Sequence, residues 1–261
     1  MALTTNRIIA FSQSPNPQIP APIPNTQHPT KTMALWLSLN IAILLAAYLL
    51  GSLPTGYTAA KLLKGIDIRE VGSGSTGATN VLRTLGKGPA IAVLLLDVLK
   101  GVAAIVLVRW AYTREAVDML AAPPVLDSWL PWMVTGAGLA AVLGHSKSIW
   151  LGFTGGKSVA TSLGILLALY WPVGLATLGV FAIVIAISRI VSLSSMSGAI
   201  ACPVLMIVAG QPLAYCLFAL AGGLYVIVRH RSNIERLLAG AEPRIGEKLS
   251  QQQEAETSAS Q

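Results

Sequence analysis

Apolar residues fall in seven runs along the chain, at about 34–63 (bent near Pro54), 89–108, 129–143, 159–170, 173–187, 196–209 and 212–228, and polar residues gather between them. A bilayer crossing takes roughly 17 to 25 residues, so the pattern predicts membrane-spanning helices. The third, fourth and sixth runs are short. Such segments tilt little, extend into polar flanks, or stop inside a protein-lined cavity. The predicted fold is an all-α polytopic membrane protein with seven transmembrane helices, some of them short or broken.

Composition agrees. Hydrophobic residues make up 54% of the chain and charged residues 11%, which excludes an ordinary soluble domain. The net charge of +7 is spread over alternating loops rather than one patch, so it encodes membrane topology and not nucleic-acid binding. With seven spans, thirteen Lys and Arg fall on one side against Arg7, Lys31, Arg109 and Arg114 on the other, while Lys100 sits within a span. The positive-inside rule then predicts N-out and C-in. Residues 1–32, rich in Pro, Thr, Asn and Gln, are predicted to be a disordered extension without a signal-peptide pattern. Met33, directly before the first run, is a candidate start. Residues 33–245 form the predicted membrane domain, and 246–261 a disordered tail. Cys202 and Cys216 lie in apolar runs as packing residues and imply neither a disulfide nor a metal site.

The segments between the runs carry the chemistry. GSGSTGATNVLR (72–83) sets glycines, hydroxyls and an arginine between the first two runs. Small residues let backbone N–H groups converge on an anion, Ser73, Ser75, Thr76 and Thr79 can cap a following helix, and Arg83 adds permanent charge. Asn80 and Arg83, three residues apart, share a helical face and can clamp one ligand. A flexible linker, and an arginine paired with lipid headgroups, are the plainer readings.

GHSKSIWLGFTGGKSVAT (144–161) contains a GGKS that invites comparison with a nucleotide-binding P-loop, but only three residues separate Gly152 from Gly156. The P-loop needs four, so a phosphate site is expected and a nucleotide site is not. Gly155 and Gly156 can admit an oxyanion, Lys157 supplies charge, and Ser158 to Thr161 open a helix N-terminus. The alternative is a capped helix with a snorkelling lysine.

Asp97 and Lys100 lie within the second run, spaced for a mutual ion pair or for ligand contact. HRSNIERLLAG (230–240) places His230 and Asn233 on one helical face where the last run ends. Histidine suits proton transfer near neutral pH, although an interfacial role is the alternative for His230 and equally for His145. Ser194, Ser195 and Ser197 can donate to an anion or cap the sixth span.

These segments, together with GSLPTGY (51–57) and LLDVLKG (95–101), resemble the PlsY-type acyl-phosphate:glycerol-3-phosphate acyltransferase family in order from about residue 34 to Glu242. The resemblance implies a seven-helix bacterial inner-membrane fold with a cytoplasmic active site. It implies transfer of a fatty acyl group from acyl phosphate to the first-position hydroxyl of glycerol 3-phosphate, giving lysophosphatidic acid and phosphate for phospholipid synthesis. Carried over by position, it gives catalytic roles to Ser73, Arg83, His230 and Asn233 and phosphate binding to Gly155, Gly156, Lys157, Ser194 and Ser195; on the residue reading above, Asn80, Asp97, Lys100 and His145 are candidate supporting residues. Two departures stand out: Ser75 where the family commonly has Asn, and Ser158 for a usual Gly in a motif that also lacks its usual Pro near Ser148. Acyl phosphate is a mixed anhydride with a good leaving group, so direct attack needs no metal, cofactor or serine nucleophile. The expected partners are the two substrates and membrane lipids, with the protein working as a monomer and no nucleic acid involved. The rival classes are a membrane transporter of a phosphorylated metabolite, suggested by Asp97 and Lys100, and a noncatalytic assembly factor.

Overall fold

The computed structural model describes residues 29–113, 120 and 123–246. Its helices are α1 (Pro29–Ser52), α2 (Thr55–Lys64), α3 (Ala78–Leu85), α4 (Lys87–Tyr112), α5 (Pro123–Ser146), α6 (Val159–Ser188), α7 (Val191–Val208), α8 (Leu213–Arg229) and α9 (Arg231–Leu238), with short 3₁₀ turns at Ile68–Glu70 and Ile149–Leu151. Residues 29–32, assigned above to the disordered extension, instead begin α1. The rest of that extension, and the tail beyond Gly246, lie outside the described residues.

Long apolar segments become helices because a helix satisfies every backbone N–H and C=O internally, which lipid cannot do. Interruptions fall where the backbone cannot continue. Pro54 lacks the N–H that would join α1 to α2, and Gly65 (φ +69) closes α2 in a left-handed cap, its N–H donating to Lys61 O.

Seven separate spans were expected. Among the described residues, five helical segments are long and apolar enough to cross a bilayer: Thr32–Lys64, Lys87–Tyr112, Pro124–Ser146, Val159–Ser188 and Val191–Val208. The α8 and α9 pair, bent by 58°, makes a sixth. The difference arises at α6, which takes in both the fourth and the fifth predicted runs over 30 residues. Tyr170 leaves helical geometry (φ −153, ψ 96) two residues before Pro172. Beyond it the chain doubles back, because a Cβ on Gly174 would lie 2.9 Å from the backbone N of Leu167. In a straight helix seven residues are separated by about 10 Å. The element is therefore two arms, an inner one (159–169) and an outer one (171–188).

The inner arm is core. Thr161, Ile165, Leu166 and Leu169 are buried, and the arm meets α4 closely enough that a Cβ on Gly164 would strike Val98 O at 2.0 Å. Small residues at such crossings allow tight backbone approach without a water-driven hydrophobic force. Beyond the buried Val173 and Gly174 the outer arm becomes exposed, reaching 63% at Ile183 and 81% at Ile187, as suits a lipid-facing surface.

Candidate active site

Three segments converge at one end of this bundle. In the first loop, Asn80 is buried and its amide builds the loop: Nδ2 faces the carbonyls of Ile68 (3.1 Å), Val71 (2.9 Å) and Ser75 (2.9 Å), while Oδ1 accepts from Ser73 N (3.0 Å). The expected Asn80–Arg83 clamp is therefore divided. Both residues border the cavity, but the Asn80 amide is spent on holding the loop in shape, while Arg83, one turn along α3, lines the cavity with Ser73, Ser75 and Thr79.

The second loop also differs from expectation. Gly156 N–H donates to His145 O (3.2 Å), and the carbonyls of Gly155 and Gly156 accept from Arg229 at 3.3 and 3.2 Å. A Cβ on Gly156 would lie 2.2 Å from His145 Nε2, and one on Gly155 the same distance from His145 O. These glycines let the loop press against His145, and Gly156 has its N–H engaged rather than offered to a phosphate. Of the Gly155–Ser158 stretch, Lys157 and Ser158 line the cavity. Ser158, the departure from the usual glycine, adopts φ +63, and its buried hydroxyl donates to Val142 O (2.8 Å). That left-handed backbone explains why glycine suits the position.

Arg69, which sequence reasoning passed over, joins the two loops. Its Nη1 donates to Leu151 O (3.1 Å) and Thr154 Oγ1 (3.2 Å), while its other nitrogens hold Asp67. The Arg69 hydrogen bond pulls the Asp67 carboxyl down to about 2.

The third segment comes from the C-terminal side. Lys157 Nζ donates to Asn233 Oδ1, and Asn233 Nδ2 donates to Glu242 Oε1 (2.5 Å). Glu242, a second residue missed from sequence, also accepts from Ser192 Oγ (2.6 Å) and Arg236 Nε (2.8 Å). Burial pushes the Lys157 ammonium down to about 8; Arg236, Arg229 and Arg83 add to the shift and Glu242 opposes it. Burial raises the Glu242 carboxyl, but its hydrogen bonds from Ser192 and Asn233 and the Arg236 charge outweigh that, leaving it below the ordinary range. His230 is buried on the cavity wall with Nδ1 donating to Val226 O (2.7 Å). In the neutral ring Nε2 then keeps its lone pair.

The remaining predicted residues divide. Ser195 lines the cavity, whereas Ser194 is fully buried away from its lining and donates to Ile190 O (2.8 Å). Asp97 and Lys100 form a buried ion pair at 2.8 Å, closed by Thr55 Oγ1 donating to Asp97 (2.7 Å) and Lys100 donating to Leu53 O (3.1 Å). Of the two readings left open, the mutual pair is what forms. Asp97 and His145 border the cavity, with His145 Nδ1 3.6 Å from Asp97 Oδ1, but Lys100 does not.

The cavity has a volume of about 660 Å³, with Ser73, Arg83, Lys157, His230 and Asn233 at its polar end and an apolar body running between the helices. A cationic mouth continuous with an apolar slot defines a membrane enzyme acting on amphiphilic, anionic substrates. A family model described as glycerol-3-phosphate acyltransferase matches residues 41–240. Similar proteins include the glycerol-3-phosphate acyltransferases of Nostoc sp. (strain PCC 7120 / SAG 25.82 / UTEX 2576), 70% identical over 83% of this chain and 96% of that one, and of Trichormus variabilis (strain ATCC 29413 / PCC 7937), 69% identical over 85% and 99%. Among solved structures, PlsY (YgiH), an integral membrane glycerol 3-phosphate acyltransferase in its glycerol 3-phosphate form, is similar with a TM-score of 0.70 and 39% identity over 80% of this chain and 96% of that one. The chain belongs to the glycerol-3-phosphate acyltransferase family, and it is an acyltransferase.

Proposed function

We propose that this chain transfers a fatty acyl group from acyl phosphate to the sn-1 hydroxyl of glycerol 3-phosphate, releasing lysophosphatidic acid and phosphate. The observation that carries this reading is the cavity itself, a cluster of Ser73, Arg83, Lys157, His230 and Asn233 opening directly into an apolar slot. One end suits phosphate and the other a hydrocarbon tail, so the carbonyl carbon of an acyl phosphate falls at their junction.

The reaction needs two anions held side by side. Arg83 and Lys157 offset their charge, and the glycerol hydroxyl attacks the acyl carbon. The new ester C–O bond forms as the bond from that carbon to the bridging phosphate oxygen breaks. The hydroxyl proton goes to His230 Nε2, the nitrogen left basic by the Nδ1–H donated to Val226, or to the substrate's own phosphate. Asn233 holds the Lys157 ammonium toward the mouth and is itself fixed by Glu242. Gly155, Gly156 and Ser194 act behind the site as packing.

Seven crossings, N-out and C-in, with the mouth on the cytoplasmic side of a bacterial inner membrane, complete the reading. The doubling back of α6 supports two crossings within that element. Its start meets α9 through Lys157 and Asn233, and the backbone carbonyl of Arg189, just past its end, accepts from Ile245 N (2.8 Å). The protein works as a monomer among membrane lipids. Purified protein given acyl phosphate and labelled glycerol 3-phosphate is expected to form lysophosphatidic acid and phosphate. Failure with acyl phosphate, alongside turnover of an acyl thioester, would overturn the donor assignment.

A further inference from the structure

We propose that Phe218 and Cys202 close the far end of the cavity and set the length of acyl chain accepted, an inference that rests on the acyl-transfer reading above. Along its apolar body the cavity lining ends at Val98 on α4, Leu166 on the inner arm of α6, Thr177 on the outer arm, Cys202 on α7 and Phe218 on α8. On α7 and α8 these end points lie about three helical turns from Ser192 and His230. From Ser192 to Cys202 the helix rises about 15 Å, and from His230 back to Phe218 about 18 Å.

The floor is rigid. Phe218 is 2% exposed and Cys202 4%. The Phe218 ring occupies the space a side chain would fill on α5, since a Cβ on Gly138 would lie 2.9 Å from Phe218 Cε2 and 3.1 Å from Ile165 Cγ2. With Gly138 behind it and Ile165 beside it, the ring has no room to withdraw. A close-packed wall rejects an overlong chain far more sharply than a lipid-filled opening does.

Nearer the mouth, two glycines keep the slot wide. A Cβ on Gly222 would come no closer than 3.9 Å to Phe218 Cζ, and one on Gly198 no closer than 3.5 Å to Thr177. Both positions line the cavity and have room for a side chain, so filling them raises the floor without straining the backbone.

The test is the chain-length profile of the purified full-length enzyme on a series of saturated acyl phosphates. The wild type is expected to lose about tenfold or more in kcat/KM once the chain outgrows the floor. Gly222→Val moves that break to shorter chains, and Phe218→Leu moves it to longer ones, with turnover of short chains retained. Gly198→Val gives the same downward shift if either of those variants fails to fold. A break at one unchanged length in every folded variant would overturn the floor while leaving acyl transfer standing. No transfer from any acyl phosphate by the wild type would instead reject the reading beneath it.

Discussion

Two clusters of charge in this molecule are built on opposite principles. Asp97 and Lys100 are closed on one another, with Thr55 and the Leu53 carbonyl adding a hydrogen bond to each, so the two charges cancel within the fold even though Asp97 borders the cavity. At the mouth, Arg83, Arg229, Arg236 and Glu242 act on Lys157, and part of that mainly cationic cluster lines a cavity. A buried charge completed within the fold serves the fold; a cluster with excess charge beside a cavity serves a ligand. The same contrast removes the main support for a transporter, because the charge pair within the span is held by its own neighbours.

The comparison breaks first at Arg83. Arg83→Ala is expected to lower kcat/KM by about 10³-fold while the protein stays folded, since a transition-state charge donor is lost from a preorganised site. Steady-state kinetics on a variant with an unchanged melting profile checks this. Wild-type turnover would remove Arg83 from the site.

Lys100→Met should act on stability instead. Leaving Asp97 without its partner costs about 3–5 kcal/mol, and pairing the change with Asp97→Asn recovers much of it. Thermal unfolding in detergent, with turnover measured per folded molecule, separates the two clusters. A variant that melts normally but fails to turn over would move Lys100 into the reaction.

Lys157 gives a smaller and tunable effect. With its ammonium pushed down to about 8, the group is charged below that pH and loses its proton as pH rises through it. Affinity for the phosphate substrates should fall by up to about tenfold per pH unit above that point. Lys157→Arg, which stays protonated, should flatten the decline, and an identical pH profile would contradict the assignment. The smallest effect belongs to Ser194→Ala, expected within about twofold of wild type in kcat/KM because the hydroxyl serves its own helix. Ser192→Ala, which releases Glu242, should exceed it.

Much of this site is legible in the sequence because its chemistry is local. Glycines, hydroxyls and Arg83 in one loop, a Gly-Gly-Lys in the next, and a His and Asn three residues apart each signal an anion or a proton. The break in α6 is legible too, where the two apolar runs part between Tyr170 and Val173. What escapes notice depends on contacts across the fold. Glu242 is one acid in a polar tail until Ser192 and Asn233 meet it, and Arg69 is one basic residue among several until it reaches Leu151. Gly155 and Gly156 carry the composition of an oxyanion loop, yet their lack of side chains serves His145. Asn80 has the right spacing from Arg83, but its amide finds three carbonyls within its own loop first.

Direct attack of the glycerol hydroxyl on the acyl carbon is the central claim, and an isotope experiment tests it most closely. Acyl phosphate labelled with ¹⁸O in the bridging position, turned over by the purified enzyme with glycerol 3-phosphate, should deliver all of that label to inorganic phosphate, with no acylated protein formed when glycerol 3-phosphate is withheld. Label retained in lysophosphatidic acid, or an acyl group trapped on the protein, would contradict it.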